Sequence, residues 1–349
     1  FMGDEHYGKG KKLRSFLKKP WNNKNVKQFF GFFHFLKFII FLTDSPCFAG
    51  IKKNDIQERR KCMFQTKITE ILNIKYPVIG GAMMWITRPE FTASISNAGG
   101  LGVLASAIYQ SREVFSVAID RLFSLTDKPF AVNINLFPVR RPLDNEAYID
   151  ILIEKGVKIV ETSGHSMPED LCKRIKEAGL IWMHKCVGVR YAIKALKMGA
   201  DIITVVGYEN GGATGKLDIG AMALVPRVVD SVKVPVIGGG GVSDGRGFLA
   251  TLALGAGGVI IGTRLLATKE APIHKNLKQA LVQANELDTM LIMRSIGSTH
   301  RVWANTAAKK CLELEAAQAT QSEILNIVAG ENTKKMYDTG KPDAGITSC

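Results

Sequence analysis

Two glycine-rich segments have the composition of a phosphate-binding site. One runs from Gly238 to Gly247 and contains Gly240 and Gly241, and the other is Gly262-Thr263-Arg264. Glycine leaves the backbone N–H groups accessible, because a Cβ atom would obstruct the approach of a phosphate. The hydroxyl group of Thr263 can add a further donor. The two segments predict a bound phosphate, with purely structural glycines as the alternative.

A third segment, Gly80–Met84, and Lys185 could hold the rest of such a ligand. Small residues, among them Gly81 and Ala82, would let a flat ring lie close to the backbone, while Met83 packs against the ring. Lys185 would place a cation beside that ring. Side chains alternate along a strand, so Lys185 and its neighbour His184 point in opposite directions, with His184 outside the mouth. A plain tight turn and a solvated lysine are the alternative interpretations.

The fourth glycine-rich segment is Gly207–Gly215. Gly207, Gly211 and Gly212 would permit a strained loop over a ligand, and Glu209 and Asn210 could orient that ligand. All four glycine-rich segments follow predicted strands, and the ends of its strands are where a barrel places its ligand.

Short β-branched runs alternate with segments of helical length, and this pattern predicts such a fold. Eight strands, each followed by a helix-length connection, predict a parallel sheet, and the number eight favours closure into a (β/α)8 TIM-type barrel. A doubly wound open sheet is the alternative. In a barrel the glycine-rich segments would lie at the carboxyl-terminal mouth, where the loops after strands seven and eight commonly bind phosphate. The predicted strands are Tyr76–Gly81, Gly102–Ser106, Phe130–Leu136, Lys158–Ser163, Ile181–Cys186, Asp201–Val206, Pro235–Gly239 and Gly258–Gly262.

Helical sequence predominates between the strands and after the eighth one. The end of the chain, Ser348-Cys349, follows a glycine- and proline-containing stretch without helical closure, which predicts a truncated carboxyl terminus. We therefore expect a small helical addition to the barrel. The predicted helices are Pro89–Asn97, Arg112–Ser124, Met167–Ala178, Val189–Met198, Ala221–Ser231 and Gly245–Leu254, followed by Ile273–Glu286, Asn305–Glu315 and Ser322–Gly330.

The positive charge of the chain is concentrated at its amino terminus. The formal net charge is +14, but residues 1–62 hold 14 Lys and Arg against 5 Asp and Glu, which leaves +5 for residues 63–349. A barrel domain with so little excess charge, and without interleaved basic and aromatic residues, is not expected to bind nucleic acid. The six cysteines show no CxxC pair and no spacing typical of a metal site. They favour reduced thiols in the cytoplasm and no bound metal.

Residues 1–62 are predicted to be a separate extension of a barrel domain that covers residues 63–349. The extension has a basic start, an apolar stretch over Phe29–Leu42 and small residues after it, which is typical of a targeting signal. The apolar stretch is shorter than the about 20 residues of a spanning helix, so no stable membrane insertion is expected. We interpret the extension as dispensable, with a targeting peptide or a membrane-surface element as alternatives.

The resemblance to a known family rests on motifs of residues 66–347. They resemble the nitronate monooxygenases, formerly 2-nitropropane dioxygenases, and their relatives the FMN-dependent enoyl and quinone reductases. No GxGxxG, Walker, HExxH or GxSxG motif is present, which disfavours a Rossmann-bound nucleotide. The motifs of the resemblance are Pro77–Met83, Asn97–Gly102, Asn133–Asn135, Lys185, Gly207–Gly215, Gly238–Gly247 and Gly262–Arg264.

The resemblance implies a barrel with non-covalent FMN that oxidises alkyl nitronates with O2. NAD(P)H-dependent reduction of a quinone or enoyl thioester is the alternative, with NAD(P)H docking transiently. A flavin-binding protein of low turnover and a sugar-phosphate barrel are further hypotheses. The residues that the resemblance and the glycine pattern assign to FMN are Gly81, Ala82, Met83, Asn135, Lys185, Gly207, Gly211, Gly212, Gly240, Gly241, Gly262 and Thr263.

One position departs from the family pattern. The loop after strand six usually carries a histidine as the expected catalytic base, and this chain has Ala213 there. A nitronate is already deprotonated and needs no base, whereas a neutral nitroalkane does. The departure therefore favours nitronate oxidation or reductase activity over nitroalkane oxidation. His165, after strand four, is one possible substitute base.

Overall fold

Eight parallel strands close into a barrel in the computed structural model, which describes residues 64–137, 143–164 and 167–349. The first strand, Val78–Gly80, pairs with both the second, Leu101–Ala105, and the last, Gly258–Ile261, so the barrel sheet has no open edge. This closure confirms the (β/α)8 barrel and rules out the doubly wound sheet. The predicted extension 1–62 and His165 lie outside the described residues. The barrel strands are β1 (Val78–Gly80), β2 (Leu101–Ala105), β3 (Phe130–Asn135), β4 (Ile159–Ser163), β5 (Ile181–Cys186), β6 (Ile202–Val206), β8 (Val236–Gly239) and β9 (Gly258–Ile261).

Helices connect the strands on the outside of the barrel. Side chains of Ser111, Asp144 and Asp244 accept hydrogen bonds from the first turns of three of them, which explains where those helices begin. The helices Lys67–Leu72 and Asn145–Glu154 were not among the predicted ones. None of the described helices is long and apolar enough to cross a membrane. The helices up to the last barrel strand are α1 (Lys67–Leu72), α2 (Pro89–Asn97), α3 (Arg112–Leu125), α4 (Asn145–Glu154), α5 (Glu169–Glu177), α6 (Val189–Lys197), α7 (Ala221–Val229) and α8 (Gly245–Ala253).

Alternation along each strand produces two separate apolar layers. Ile79, Val103 and Ile237 belong to a buried cluster inside the barrel, which α1 extends with Ile68 and Leu72. The residues between them point outward and pack against the helices, those of β1 and β9 in one cluster and those of the other strands in a second, larger one. A side chain on a barrel strand therefore faces the barrel axis or the helices according to its position in the alternation.

The addition after the barrel is only partly helical. Two strands, β10 (Thr289–Ile292) and β11 (His300–Trp303), form an antiparallel sheet with β7 (Gly212–Ala213), a short strand in the loop after β6. These strands were not predicted, because their pairing joins distant segments of the chain. The helices of this part are α9 (Thr263–Leu266), α10 (Lys275–Gln283), α11 (Thr306–Ala316), α12 (Gln321–Ile327) and α13 (Gly330–Thr339).

Candidate functional site

The two predicted phosphate-binding segments leave the barrel side by side. β8 and β9 are hydrogen-bonded neighbours, with Gly239 opposite Ile260, so the segments that follow them are adjacent at the mouth. Gly240 and Gly241 have φ angles of +96° and +73°, a left-handed backbone that favours glycine. Their N–H groups donate no hydrogen bond to another described residue. The loop therefore offers unpaired donors at the place where the sequence predicts a phosphate.

Gly262 borders an open space at the start of α9. A Cβ atom built there would meet only the Met83 Sδ atom, at 3.7 Å. The turn that carries Met83 is held by Thr87, whose hydroxyl group accepts from the Met83 N–H at 2.9 Å, and Gly81 donates to the Ile261 carbonyl at 3.1 Å. The structure thus brings Gly81, Met83 and Gly262 together, as the barrel prediction requires.

Several residues of the loop after β6 have packing roles. A Cβ atom on Gly207 would overlap the backbone of Ala221 at the start of α7, and one on Gly211 would lie 2.8 Å from the backbone of Cys349. The Glu209 carboxylate accepts from the Ala221 N–H at 2.9 Å and so caps α7. The sequence suggested that Glu209 and Asn210 orient a ligand. In the structure Glu209 anchors the loop, and the Asn210 side chain donates to carbonyl groups of that same loop.

Polar side chains occupy the upper part of the barrel interior. The strand register aligns Asn133 with Glu161, and Ser163 with Lys185, on the side of the interior cluster. The amide of Asn133 donates to the Glu161 Oε2 atom at 2.7 Å, while the Glu161 Oε1 and Thr204 Oγ1 atoms are buried without a hydrogen-bond partner in the described structure. Burial raises the pKa of Glu161, and the nearby Lys185 cation and the Asn133 bond oppose that rise.

Lys185 lies on the interior face of β5, and His184 lies on the opposite face. The His184 Nδ1 atom is 2.8 Å from the Thr162 hydroxyl group, which also accepts from the indole of Trp182 in the outer layer. This is the arrangement that alternation predicts. Asn135 ends β3 half-buried, and its side chain accepts from the Phe137 N–H at 3.2 Å.

Sequence reasoning missed two titratable side chains at this end of the barrel. Glu161 could have been found from strand alternation, since it lies two residues before Ser163 on β4 and therefore points to the same inward face. His300 could not, because only the register of β11 against β7 places it opposite Ala213. The described part of the chain contains no group of His, Cys, Asp and Glu side chains that could hold a metal ion.

The fold is a (β/α)8 barrel, and the predicted phosphate-binding segments lie together at its carboxyl-terminal mouth. A family profile described as nitronate monooxygenase matches residues 65–349. The chain belongs to the nitronate monooxygenase family, as the motifs of the sequence predict.

Relatives of the chain have several different names. A "Probable nitronate monooxygenase" of Staphylococcus saprophyticus is 32% identical, and the match covers 77% of this chain and 88% of the relative. A 36% identical protein of Rhodococcus jostii, over 71% of this chain and 68% of the relative, is named "(3aS,4S,5R,7aS)-5-hydroxy-7a-methyl-1-oxo-octahydro-1H-indene-4-carboxyl-CoA dehydrogenase". The solved structure of FabK from Thermotoga maritima matches with a TM-score of 0.75 and 30% identity, over 81% of this chain and 88% of that chain.

Proposed function

We propose that the chain is an FMN-dependent oxidoreductase that oxidises alkyl nitronates with O2. The observation that carries the FMN assignment is the pair of left-handed residues Gly240 and Gly241, with unpaired N–H groups, beside the open space at Gly262. Unpaired N–H groups on a glycine backbone suit a phosphate. Membership of the nitronate monooxygenase family supports the choice of substrate.

The residues present fit FMN. Gly240, Gly241, Gly262 and Thr263 would hold its phosphate, and the remaining predicted residues would contact its ring from the mouth of the barrel. When bound, FMN accepts two electrons from the substrate and delivers them to O2.

The chain contributes position and charge to this reaction. Lys185, on the interior face of β5, would stabilise negative charge that develops on the ring side of the site. The turn at Met83 would cover one face of the ring and exclude water there. Because a nitronate has already lost its acidic α-proton, its oxidation needs no base and Ala213 is compatible with this activity.

A second candidate function is NAD(P)H-dependent reduction of a quinone or an enoyl thioester. The observations that favour it are the likeness to FabK and the relative named as a carboxyl-CoA dehydrogenase. Both functions share the predicted FMN site and differ only in the electron donor and acceptor.

Anaerobic reduction of the full-length protein tests the proposal. After reconstitution with FMN, the flavin absorbance is recorded, and propyl-2-nitronate or NADH is added in separate cuvettes without oxygen. Bleaching by the nitronate and not by NADH supports nitronate oxidation. Bleaching by NADH alone supports the reductase, and failure to bind FMN refutes both.

A further inference from the structure

Four polar side chains lie together inside the barrel, close below its mouth. Each lies two residues after a member of the apolar interior cluster and therefore points to the same inward side of its strand. Apolar side chains border them on both sides, since Ala105 is aligned with the first of them and Ile237 with the last. The four are Asn133 on β3, Glu161 on β4, Lys185 on β5 and Thr204 on β6.

Glu161 is the acidic member of this polar group. It is 0% exposed, and only its Oε2 atom accepts a hydrogen bond, from the Asn133 amide at 2.7 Å. The Oε1 atom is buried without a partner in the described structure, and so is the hydroxyl oxygen of Thr204. Burial of an ionised carboxylate with so few donors is unfavourable, whereas the neutral acid has less charge to solvate. The surroundings of Glu161 therefore favour a bound proton.

Lys185 is the charged side chain that acts on Glu161 among the described residues. The strand register places Met183 opposite Glu161 and Lys185 two residues nearer the mouth, where it is half-buried. The other inward neighbours, Asn133, Met183 and Thr204, carry no charge. Burial raises the pKa of Glu161, and the Lys185 cation opposes that rise. The proton affinity of Glu161 therefore depends on how much of the Lys185 charge reaches it.

Negative charge added beside Lys185 would change this balance. The predicted position of Lys185 is beside the FMN ring, and FMN accepts two electrons when the site is reduced. The added negative charge offsets the Lys185 cation, which then favours the ionised form of Glu161 less strongly. Glu161 should therefore bind a proton more tightly in the reduced site than in the oxidised site.

We propose that Glu161 stores a proton for the flavin site, taking it up when the site is reduced and releasing it when O2 re-oxidises the site. The inference rests on the proposed function. Two electrons enter the site from one nitronate, and one solvent proton forms an O–H bond at Glu161 Oε1, in addition to any proton that the flavin binds. When the two electrons pass to O2, that O–H bond breaks and its proton returns to solvent. Glu161 itself is neither oxidised nor reduced.

The pH dependence of the midpoint potential measures the stored proton. The full-length protein with FMN is titrated anaerobically with dithionite at a series of pH values above 4.5, the ordinary pKa of a glutamate. For a two-electron couple, each proton bound on reduction lowers the potential by about 30 mV per pH unit. Wild-type protein should show a pH range in which its slope is steeper than that of Glu161→Gln by about this amount, because glutamine has nearly the same shape and binds no proton.

Infrared spectroscopy of the FMN-free protein observes the same proton without any flavin. The C=O band of the protonated Glu161 carboxyl group should be present in wild-type protein, absent in Glu161→Gln, and lost on ionisation as the pH rises. Lys185→Met removes the cation and should move this loss to higher pH. Glu177→Gln is the control, because Glu177 is an exposed carboxylate at the end of α5, and it should match wild type in both measurements. Circular dichroism of each variant establishes that it is folded.

Three results would overturn the inference. These are equal slopes of wild type and Glu161→Gln at every pH, an infrared spectrum in which no band depends on Glu161, and a band that is lost at the same pH in wild type and Lys185→Met. Failure of the proposed function looks different, because nitronate would then leave the flavin oxidised while dithionite still reduces it with the additional proton.

Discussion

Replacing single glycines at the barrel mouth tests whether they contribute to FMN binding or only to the stability of the fold. Gly262→Ala places a methyl group where the nearest atom is the Met83 sulfur at 3.7 Å, an ordinary contact, so the free energy of unfolding should change by less than about 0.5 kcal/mol. Gly240→Ala forces an alanine to φ +96° and puts its Cβ atom 3.0 Å from the Gly207 nitrogen. Such strain costs about 1–3 kcal/mol.

Both substitutions are nevertheless expected to weaken FMN binding. Each methyl group would stand between the backbone N–H groups and the phosphate, and one hydrogen bond to a charged group contributes about 1.5–3 kcal/mol. The Kd for FMN should therefore rise by roughly 10- to 150-fold in each variant. Gly156→Ala is the matched control, because Gly156 has φ +74° with open space around it and lies at the other end of the barrel, before β4.

Two measurements on each variant complete the test. Urea unfolding of the FMN-free protein, followed by circular dichroism, gives the stability, and quenching of FMN fluorescence gives the Kd. Gly156→Ala should lose stability and keep its FMN affinity. Wild-type affinity in Gly262→Ala would refute the phosphate assignment, and an equal loss of affinity in Gly156→Ala would show that binding merely follows stability.

Three further predictions concern the barrel interior and the packing of one helix. Lys185→Met removes the cation expected beside the ring and should lower the midpoint potential of bound FMN by about 30–60 mV, where 30 mV corresponds to about 1.4 kcal/mol for a two-electron couple. Spectroelectrochemical titration measures this potential, and an unchanged value would contradict the role of Lys185. The pKa of Glu161 is raised, so the folded state binds the carboxyl proton more tightly than the unfolded state does. The protonated carboxyl group therefore stabilises the fold below the ordinary pKa of 4.5, and this contribution is lost as the pH rises through the pKa of the folded state. Glu161→Gln should therefore gain stability relative to wild type as the pH rises above 4.5 in urea unfolding, and a pH-independent difference would argue against it. A methyl group on Gly102 would overlap the Thr92 carbonyl of the helix packed on β2, so Gly102→Ala should lower the free energy of unfolding by at least about 2 kcal/mol. Gly188→Ala is the control, because its Cβ atom would lie 3.5 Å from the nearest atom of the Tyr191 ring, and it should unfold like wild type.

Local patterns were sufficient to predict the barrel. Strand and helix periodicity, together with the length of each connection, are properties of short segments, and all eight barrel strands lie where those segments predict them. The glycine-rich segments at the ends of β8 and β9 follow from the same pattern, because parallel strands present their carboxyl ends at one side of the sheet. The inward position of Lys185 also follows from alternation alone.

Contacts between distant segments were decided only by the tertiary structure. Closure of the sheet, shown by the pairing of β1 with β9, depends on the summed stagger and tilt of all the strands and not on any one of them. The backbone contact of Gly211 with Cys349, and the place of His300 opposite Ala213, depend on the register of an antiparallel sheet built from the loop after β6 and the addition after β9. A one-residue shift of that register would turn His300 to the other face of the sheet. Sequence determined which residues could do chemistry, and the long-range register determined which of them meet, because no local preference specifies how distant strands align.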